Sequence, residues 1–449
     1  MTSARAILRA MGLGGAFARG AMTIVAGAGA AQIIVVATTP ILTRLYAPSD
    51  YGVYAAATSI LVLSSVACLR YEFAIPLPGD EVAAANLFVL SLLVNLATTL
   101  LVGLAFATVG PAVLGVLGAA VLAPYMMFLV LAQFGSGIVS ILTNWAVRTK
   151  AFPEIGINRF VSSGGLVTTQ IGLGALGWGA PGLVLGALTG SVAGAATLAR
   201  AAWRTSSAAF RQVSLRGAAA MARRYRRFPI FASWSSLLAA LALRAPFLVL
   251  LIFYGTGVGG QYALAERVLY LPVTVVAGAV GQVYIADSAR MARDHPEELP
   301  RLFARTTWSL ARLAVLPALA IAAMTPFLAG PVLGERWSQA GVFVAVLVPM
   351  FYATFVLTAT GDILYVVERQ GLQLTREVLR IVFFAGSGLL ARAIGLPAIG
   401  AVAAVSLGGC CMYLLYGFIS WRAIAHFRAH AGDAGTTSAE DVALIRAEM

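Results

Sequence analysis

Charged side chains are scarce in this sequence. Only 11% of its 449 residues are charged, whereas 60% are hydrophobic and the mean hydropathy is +0.88. Soluble domains are about 25% charged and roughly 45–50% apolar, so no water-soluble fold can bury this much apolar surface. The composition therefore predicts an all-α membrane protein that crosses the bilayer many times.

Cysteine and histidine are also rare. The three cysteines, Cys68, Cys410 and Cys411, fall in apolar runs and lack the spaced pairs of a disulfide framework or a zinc site. The three histidines lie in polar segments and do not supply a set of metal ligands. We expect no metal ion and no other cofactor.

Signatures of soluble catalysis and of nucleic-acid binding are missing as well. The chain has no phosphate-binding Gly-Lys-Ser/Thr loop and no His-Glu-x-x-His motif. Its net charge is +13, but the basic residues cluster between hydrophobic runs and do not form a stripe with aromatic residues. We therefore expect a protein that is not an enzyme and does not bind nucleic acid.

Long apolar runs dominate what the sequence does contain. A helix needs roughly 20 mostly apolar residues to cross about 30 Å of hydrocarbon. By this measure the sequence predicts about twelve spans, near residues 20–45, 51–69, 82–109, 121–146, 160–176, 181–202, 228–253, 260–286, 302–328, 341–367, 372–391 and 399–419.

The basic residues sort to one side of these spans. With the N-terminus inside, 26 of the 31 Lys and Arg residues fall in cytoplasmic connections or in the termini. Three residues, Arg44, Arg336 and Arg392, fall outside, and Arg244 and Arg267 lie within spans. Because cytoplasmic loops carry an excess of basic residues, this pattern predicts that both termini are cytoplasmic.

The longest polar connection, residues 203–227, divides the spans into two groups of six. It is basic, and its apolar residues are Phe210, Val213, Leu215, Met221 and Tyr225. This pattern favours an amphipathic helix that lies on the anionic cytoplasmic leaflet. The predicted domains are an N-terminal lobe at 1–202, this linker at 203–227, a C-terminal lobe at 228–425 and a cytoplasmic tail at 426–449.

The two groups of spans also look like copies of one repeat. A shift of 208 residues aligns 45–57 with 253–265, and five positions agree without a gap: Tyr46/Tyr254, Gly52/Gly260, Tyr54/Tyr262, Ala55/Ala263 and Ala57/Ala265. Because each copy has an even number of spans, both enter the membrane in the same direction. We therefore predict two parallel six-helix lobes around a central cavity, an arrangement that favours a transporter over an enzyme.

Charges inside spans are the best pointers to function, because placing one at a helix centre costs about 2.5–3.5 kcal/mol on insertion scales. Arg244, Glu266 and Arg267 lie at similar depth in one hairpin, roughly 9–14 Å below the outer surface. If Glu266 neutralises one arginine, the other can bind an anionic group such as a diphosphate. The alternative is a structural ion pair that fixes helix register.

A second cluster of charges consists of Asp362, Arg376, Glu377 and Arg380. The last three are spaced to lie on neighbouring faces of one helix. All four are close to the membrane interface, which favours snorkelling or structural pairing. Coupling or gating by Asp362 and Arg380 is the alternative, and the same two interpretations apply to Arg44 and Arg70 at helix ends.

Several stretches carry a family resemblance. They are TRLYAPSDYGVYA at Thr43–Ala55, LRYEFAIPLP at Leu69–Pro78 followed by EVAAANL, RRYRRFPIFASWSSLL at Arg223–Leu238 and YALAERVLYLPVTVVAGAVGQVY at Tyr262–Tyr284. These stretches resemble the Wzx-type polysaccharide flippases of the multidrug/oligosaccharidyl-lipid/polysaccharide (MOP) exporter superfamily. Together with the twelve-span plan, the resemblance extends over most of residues 20–425.

The resemblance implies a flippase of the bacterial inner membrane that serves lipopolysaccharide or exopolysaccharide synthesis. It implies that an undecaprenyl-diphosphate-linked oligosaccharide moves to the outer leaflet by alternating access, with membrane lipids and polysaccharide polymerase and export proteins as partners. On physical grounds Arg244 and Arg267 are natural contacts for its diphosphate, although Glu266 beside Arg267 departs from the expected family pattern.

Two alternatives remain open. One is a cation-coupled multidrug antiporter of the same superfamily, in which Glu266 or Asp362 is the coupling acid. The other is a membrane glycosyltransferase or polymerase, which would normally need a substantial external loop. The longest external connections are only about a dozen residues, so this second alternative is the weaker.

Overall fold

Helices make up almost all of the protein that the structure describes. It is a computed structural model that describes residues 27, 29–61, 68–110, 112, 120–226, 228–367 and 369–447, and no strand occurs among these residues. The helices are α1 (Gly29–Leu45), α2 (Pro48–Leu61), α3 (Glu81–Thr108), α4 (Met126–Arg148), α5 (Phe152–Ala175), α6 (Ala180–Phe210), α7 (Leu215–Arg224), α8 (Ser233–Pro272), α9 (Gly278–Asp294), α10 (Leu299–Leu333), α11 (Ser338–Gly361), α12 (Ile363–Val366), α13 (Gln370–Ala393) and α14 (Ala398–Ala447).

A helix lies on each predicted span wherever that span is described. Within the described ranges, seven continuous helical stretches are long and apolar enough to cross a membrane, and one of them, Ser236–Asp294, has 59 residues. Gly255 interrupts this stretch with non-helical backbone at φ +86 and ψ 172, a region that is essentially open only to glycine. The break lies between predicted spans seven and eight. Residues 20–26, 28 and 62–67 of spans one and two lie outside the described residues.

The helix boundaries repeat at an offset of 218 residues. The helix α5 covers 152–175 and α13 covers 370–393, so both ends match. The starts of α6 and α14, at Ala180 and Ala398, and of α3 and α10, at Glu81 and Leu299, have the same offset. Because the first hairpins align at 208, the second copy is ten residues longer before its third helix.

The turns after α5 and α13 have the same glycine conformation and equivalent backbone hydrogen bonds. Gly177 and Gly395 both have φ +73. The N–H of the residue after each glycine donates to the carbonyl five residues before it, at 3.1 and 2.9 Å. This is the Schellman motif, in which a left-handed glycine ends the helix and satisfies its last carbonyls. Both copies therefore stop this helix in the same way.

Two glycines, one from each copy, form a close helix crossing within one compact part of the fold. A Cβ atom on Gly52 would overlap the carbonyl oxygen of Thr256, and one on Gly260 would overlap that of Pro48. Pro48 and Thr256 are equivalent at the 208-residue offset. The contact is therefore reciprocal, as it is at a two-fold axis, and it supports the repeat predicted from the aligned glycines.

The chain divides into two compact units. The first contains Met1–Arg244, Leu251–Gly260 and Val332–Arg336, and the second contains Ala245–Leu250, Gln261–Pro331 and Trp337–Met449. The core of the first unit surrounds the buried Trp145. The core of the second includes the fully buried Phe343 of α11. The predicted boundaries at 202, 227 and 425, and the central cavity, stay predictions.

The linker packs differently from the prediction. The helix α6 continues to Phe210, beyond the predicted end of span six, and α7 follows it. Phe210, Val213, Met221 and Tyr225 are partly buried against the core of the first unit, whereas Leu215 is 78% exposed. Most of the apolar residues that favoured a helix lying on the membrane therefore contact protein instead.

We expect Gly260→Ala to destabilise the protein, because its methyl group would overlap the Pro48 carbonyl and the two helices would have to separate. Overpacking of this kind costs roughly 1–3 kcal/mol or more. The matched control is Gly164→Ala in α5, where nothing lies within 4 Å of a new methyl group and alanine favours the helix by about 0.5–1 kcal/mol. Melting temperatures of the purified variants in detergent measure both effects, and a Gly260→Ala variant as stable as the control would contradict the crossing.

Candidate functional site

The second cluster of charges predicted from the sequence lies in the second unit and centres on Glu377 of α13. Its two carboxylate oxygens each bind one arginine, with Arg376 Nη2 at 2.8 Å from Oε1 and Arg380 Nη1 at 3.0 Å from Oε2. The side chains of all three residues are at most 17% exposed. One buried carboxylate thus holds two guanidinium groups.

Two further elements join this cluster. Arg376 Nη1 donates a hydrogen bond to the hydroxyl of Tyr416 on α14 at 2.8 Å, and its guanidinium lies 4.9 Å from the centre of that ring. The Tyr416 hydroxyl donates in turn to the carbonyl of Gly361 at the end of α11. Asp362, the next residue, is partly buried and is electrostatically coupled to Arg376. The cluster therefore ties together α11, α13 and α14.

The same face of α13 carries a buried amide without a partner. Gln373 is 7% exposed, and neither its Oε1 nor its Nε2 has a hydrogen-bond partner among the described residues. It precedes Glu377 by four residues and Arg380 by seven, so helical spacing places the three on one face. Buried polar groups are normally satisfied, and this face therefore has unused hydrogen-bonding capacity.

The first copy of the repeat builds the same helix pair without this cluster. At the 218-residue offset, the positions of Asp362, Arg376, Glu377, Arg380 and Tyr416 are occupied by Asn144, Asn158, Arg159, Ser162 and Leu198. The only charged residue among them, Arg159, is exposed. Since the fold packs these helices with uncharged residues in the first unit, packing alone does not require the charges in the second.

The three charged residues predicted to bind substrate, Arg244, Glu266 and Arg267, lie on the two parts of α8. Arg244 precedes the break at Gly255 and belongs to the first unit, whereas Glu266 and Arg267 follow the break and belong to the second. All three side chains are partly buried. Their role in substrate binding stays a prediction. Arg44 is exposed in the last turn of α1, and its predicted role in coupling or gating also stays open.

Arg70 and Glu72 form a buried pair in the connection between α2 and α3. Arg70 Nη1 lies 3.8 Å from Glu72 Oε1, and the Glu72 side chain is only 3% exposed. Glu72 Oε2 and Arg70 Nε have no hydrogen-bond partner among the described residues. Burial raises the pKa of Glu72 to about 7, because the long contact with Arg70 offsets only part of the lost hydration.

The second unit also contains an apolar cavity of about 270 Å³. It lies between α8, α10 and α11, and Pro272, Val276, Pro317, Phe351 and Phe355 are among its lining residues. The only hydroxyl in this lining, that of Tyr352, donates to the carbonyl of Ala311 at 3.1 Å. The cavity suits a hydrocarbon group. Across the described residues, no three His, Cys, Asp or Glu side chains come together as metal ligands.

Comparison with known protein families connects this architecture to an established group. The family model for polysaccharide biosynthesis proteins matches residues 41–341, which is about two thirds of the chain. The chain belongs to the polysaccharide biosynthesis protein family. No curated protein sequence matches it closely enough to count as a relative.

Solved structures show that this family member has the fold of MOP superfamily transporters. An inward-facing multidrug transporter of the MATE family superposes with a TM-score of 0.60 at 16% identity, over 91% of this chain and 95% of that one. A point mutant of the Vibrio cholerae MATE transporter VcmN gives 0.57 at 15% identity, over 95% and 98%. A MOP superfamily transporter from Pyrococcus furiosus, described as having a binding pocket of reversed polarity, gives 0.56 at 15% identity, over 92% and 96%.

These matches confirm the predicted fold class: the protein is all-α, has the fold of multi-pass membrane transporters of the MOP superfamily and belongs to a polysaccharide biosynthesis family. The sequence had placed Arg376, Glu377 and Arg380 together, but it gave no sign that Tyr416 joins them. That contact depends on how α14 packs beside α13 about forty residues along the chain.

We expect Glu377→Gln to destabilise the protein by about 3–5 kcal/mol, since it removes the carboxylate that binds two buried arginines. The matched control is Asp287→Asn, which removes the partner of Arg290 in an ion pair whose side chains are 43% and 67% exposed. Exposed pairs of this kind contribute about 0–1 kcal/mol. Thermal unfolding in detergent compares the two variants, and equal melting temperatures would show that the cluster is not held by Glu377.

The raised pKa of Glu72 makes stability depend on pH. Glu72 has a pKa of about 7 in the folded protein, against an ordinary value of 4.5. The folded state therefore holds this proton more tightly, and the stability it contributes is fully present below pH 4.5 and is lost as pH rises to 7, by on the order of 3 kcal/mol. Glu72→Gln should remove this dependence. Melting temperatures of both proteins between pH 4.5 and 8 test it, and parallel curves would contradict it.

Proposed function

We propose that this protein flips an undecaprenyl-diphosphate-linked oligosaccharide from the cytoplasmic to the outer leaflet of the bacterial inner membrane. The observation that carries the proposal is the combination of a polysaccharide biosynthesis family match with a MOP transporter fold. A membrane transporter that acts in polysaccharide synthesis needs a sugar substrate that reaches it in the bilayer, and a lipid-linked oligosaccharide meets that requirement.

The charges inside the spans fit such a substrate. A diphosphate carries negative charge and acceptor oxygens, which guanidinium groups bind in a bidentate manner. In this proposal Arg244 and Arg267 bind the diphosphate, Glu266 balances part of their charge, and the lipid tail remains in the bilayer. The polar headgroup occupies a central cavity that opens alternately to the two sides.

The charged cluster around Glu377 supports a further proposal, on coupling or gating in the same transport cycle. We assign coupling or gating to Asp362 and Arg380, with Arg44 and Arg70 as further candidates. The support for Asp362 and Arg380 is that the first copy of the repeat has Asn144 and Ser162 at their positions, so the packing of the fold does not explain them. The coupling ion is not part of this proposal.

The cellular setting follows from the same proposal. Both termini are cytoplasmic, because that orientation places most of the basic residues inside. The partners are the lipid-linked oligosaccharide, the surrounding membrane lipids and the polysaccharide polymerase and export proteins. The protein moves its substrate without changing a covalent bond, so it is not an enzyme in this proposal.

A cation-coupled multidrug antiporter is the second candidate function. The observation that favours it is that several superposed structures are described as MATE transporters, and one of them as a multidrug resistance protein. Drug resistance or dye efflux that depends on Glu266 would support this candidate. Restoration of surface polysaccharide without any efflux would support the flippase.

We expect Arg244→Ala and Arg267→Ala each to reduce surface polysaccharide roughly tenfold to a hundredfold in a strain that lacks its flippase, because each removes a charge-assisted bond of about 1.5–3 kcal/mol to the diphosphate. The matched control is Arg392→Ala, which removes an exposed arginine at the end of α13. Immunoblotting confirms equal insertion of the three variants. Normal polysaccharide in both span variants would remove these arginines from the substrate site.

A further inference from the structure

We infer that the linker between the two groups of spans is a binding surface for anionic lipid headgroups, which it contacts through its exposed arginines. This basic surface consists of Arg204, Arg211, Arg216, Arg223, Arg224 and Arg226. All six side chains are exposed, on the end of α6, on α7 and on the residues beside them. The inference is independent of the substrate proposed above.

No acidic residue lies near this surface in the sequence. No Asp or Glu occurs between Glu154 and Glu266, a stretch that contains the whole linker. In the described part of the chain, none of the six arginines is within salt-bridge distance of a carboxylate. The closest aromatic contact is that of the Arg224 guanidinium, 5.6 Å from the centre of the Tyr225 ring. The positive charge is therefore available to an external anion.

The apolar side of the linker is already occupied by protein. Ser214 caps α7 by accepting the Gly217 N–H at 3.0 Å, and its own N–H donates to Asn86 Oδ1 of α3 at 3.1 Å. Ala218 is buried, and the carbonyl of Ala222 accepts a hydrogen bond from Tyr71 at 3.3 Å. A helix held in this way cannot turn these apolar residues into the bilayer, so its exposed arginines remain to contact lipid, with Leu215 as the exposed apolar residue beside them.

The position of the linker favours lipid over a soluble partner. The helix α6 belongs to a predicted membrane span and carries Trp203, which is 61% exposed, immediately before Arg204. Exposed tryptophans at the ends of spans lie at the depth of the headgroups. The basic surface therefore begins at that depth, where each arginine is attracted to an anionic bilayer.

The test is a lipid titration of the purified full-length protein in detergent. Phosphatidylglycerol and phosphatidylcholine are added separately, and native mass spectrometry counts the lipids bound to the wild type and to two triple variants. One variant carries Arg216→Gln, Arg223→Gln and Arg224→Gln in the basic surface. The control carries Arg293→Gln, Arg301→Gln and Arg305→Gln, which removes the same charge from exposed arginines on α9 and α10.

We expect the first variant to bind phosphatidylglycerol roughly a hundredfold more weakly than the wild type, and the control to bind within a few fold of it. The difference should shrink at high salt, because exposed charges are screened. Equal losses in the two variants, or no loss in the first, would overturn the inference. Tighter binding of a polyglutamate peptide than of phosphatidylglycerol would assign the surface to an acidic protein instead and would also overturn it.

Discussion

Two backbone carbonyl groups occupy the space in which a side chain would begin at Gly52 and Gly260. Inside a bilayer, burying apolar side chains gains little, because lipid tails are as apolar as leucine, so helices associate through close packing of small residues. The reciprocal crossing of these two glycines is a contact of that kind. It fixes how the equivalent turns of the two copies meet within the first unit, and it requires glycine at the same position of both.

The duplication separates what the fold needs from what the function needs. Several helix boundaries are equivalent in the two copies, and so are the glycine turns after α5 and α13, which depend on the left-handed conformation of Gly177 and Gly395. Side chains between these fixed points are free to differ. The first copy has Asn158 where the second has Arg376. In the second copy, Arg376 and Arg380 both pair with the buried Glu377. Differences between equivalent positions therefore point to function better than either copy does alone.

Hydropathy and charge predicted the helices because the bilayer imposes a length and an apolar surface on every span. The 218-residue register was missed in the sequence comparison, since the identities that it gives within five residues of Gly177 and Gly395 are all alanine or glycine, which recur throughout this chain. The docking of the linker could not be predicted either. This docking depends on contacts between Asn86 and two residues more than a hundred positions later in the chain. The Ser214 N–H donates to Asn86 Oδ1, and Gly217 has no side chain to displace the Asn86 amide. Periodicity identified an apolar face but not the surface that covers it.

The fold alone does not show whether the substrate is a drug or a lipid-linked sugar. The superposed transporters share only 14–16% of their residues with this chain, so their substrates cannot be transferred to it. Charge is the better guide. The ionisable residues within the spans on α8 are two arginines and one glutamate, whose formal charges leave a positive excess. If these residues bind the substrate as proposed, a positive excess in a medium of low dielectric attracts an anion and repels a cation, which favours the proposed diphosphate over a cationic drug. In the same proposal Glu266 reduces this attraction for the anion. Weaker binding allows release, which any transporter requires.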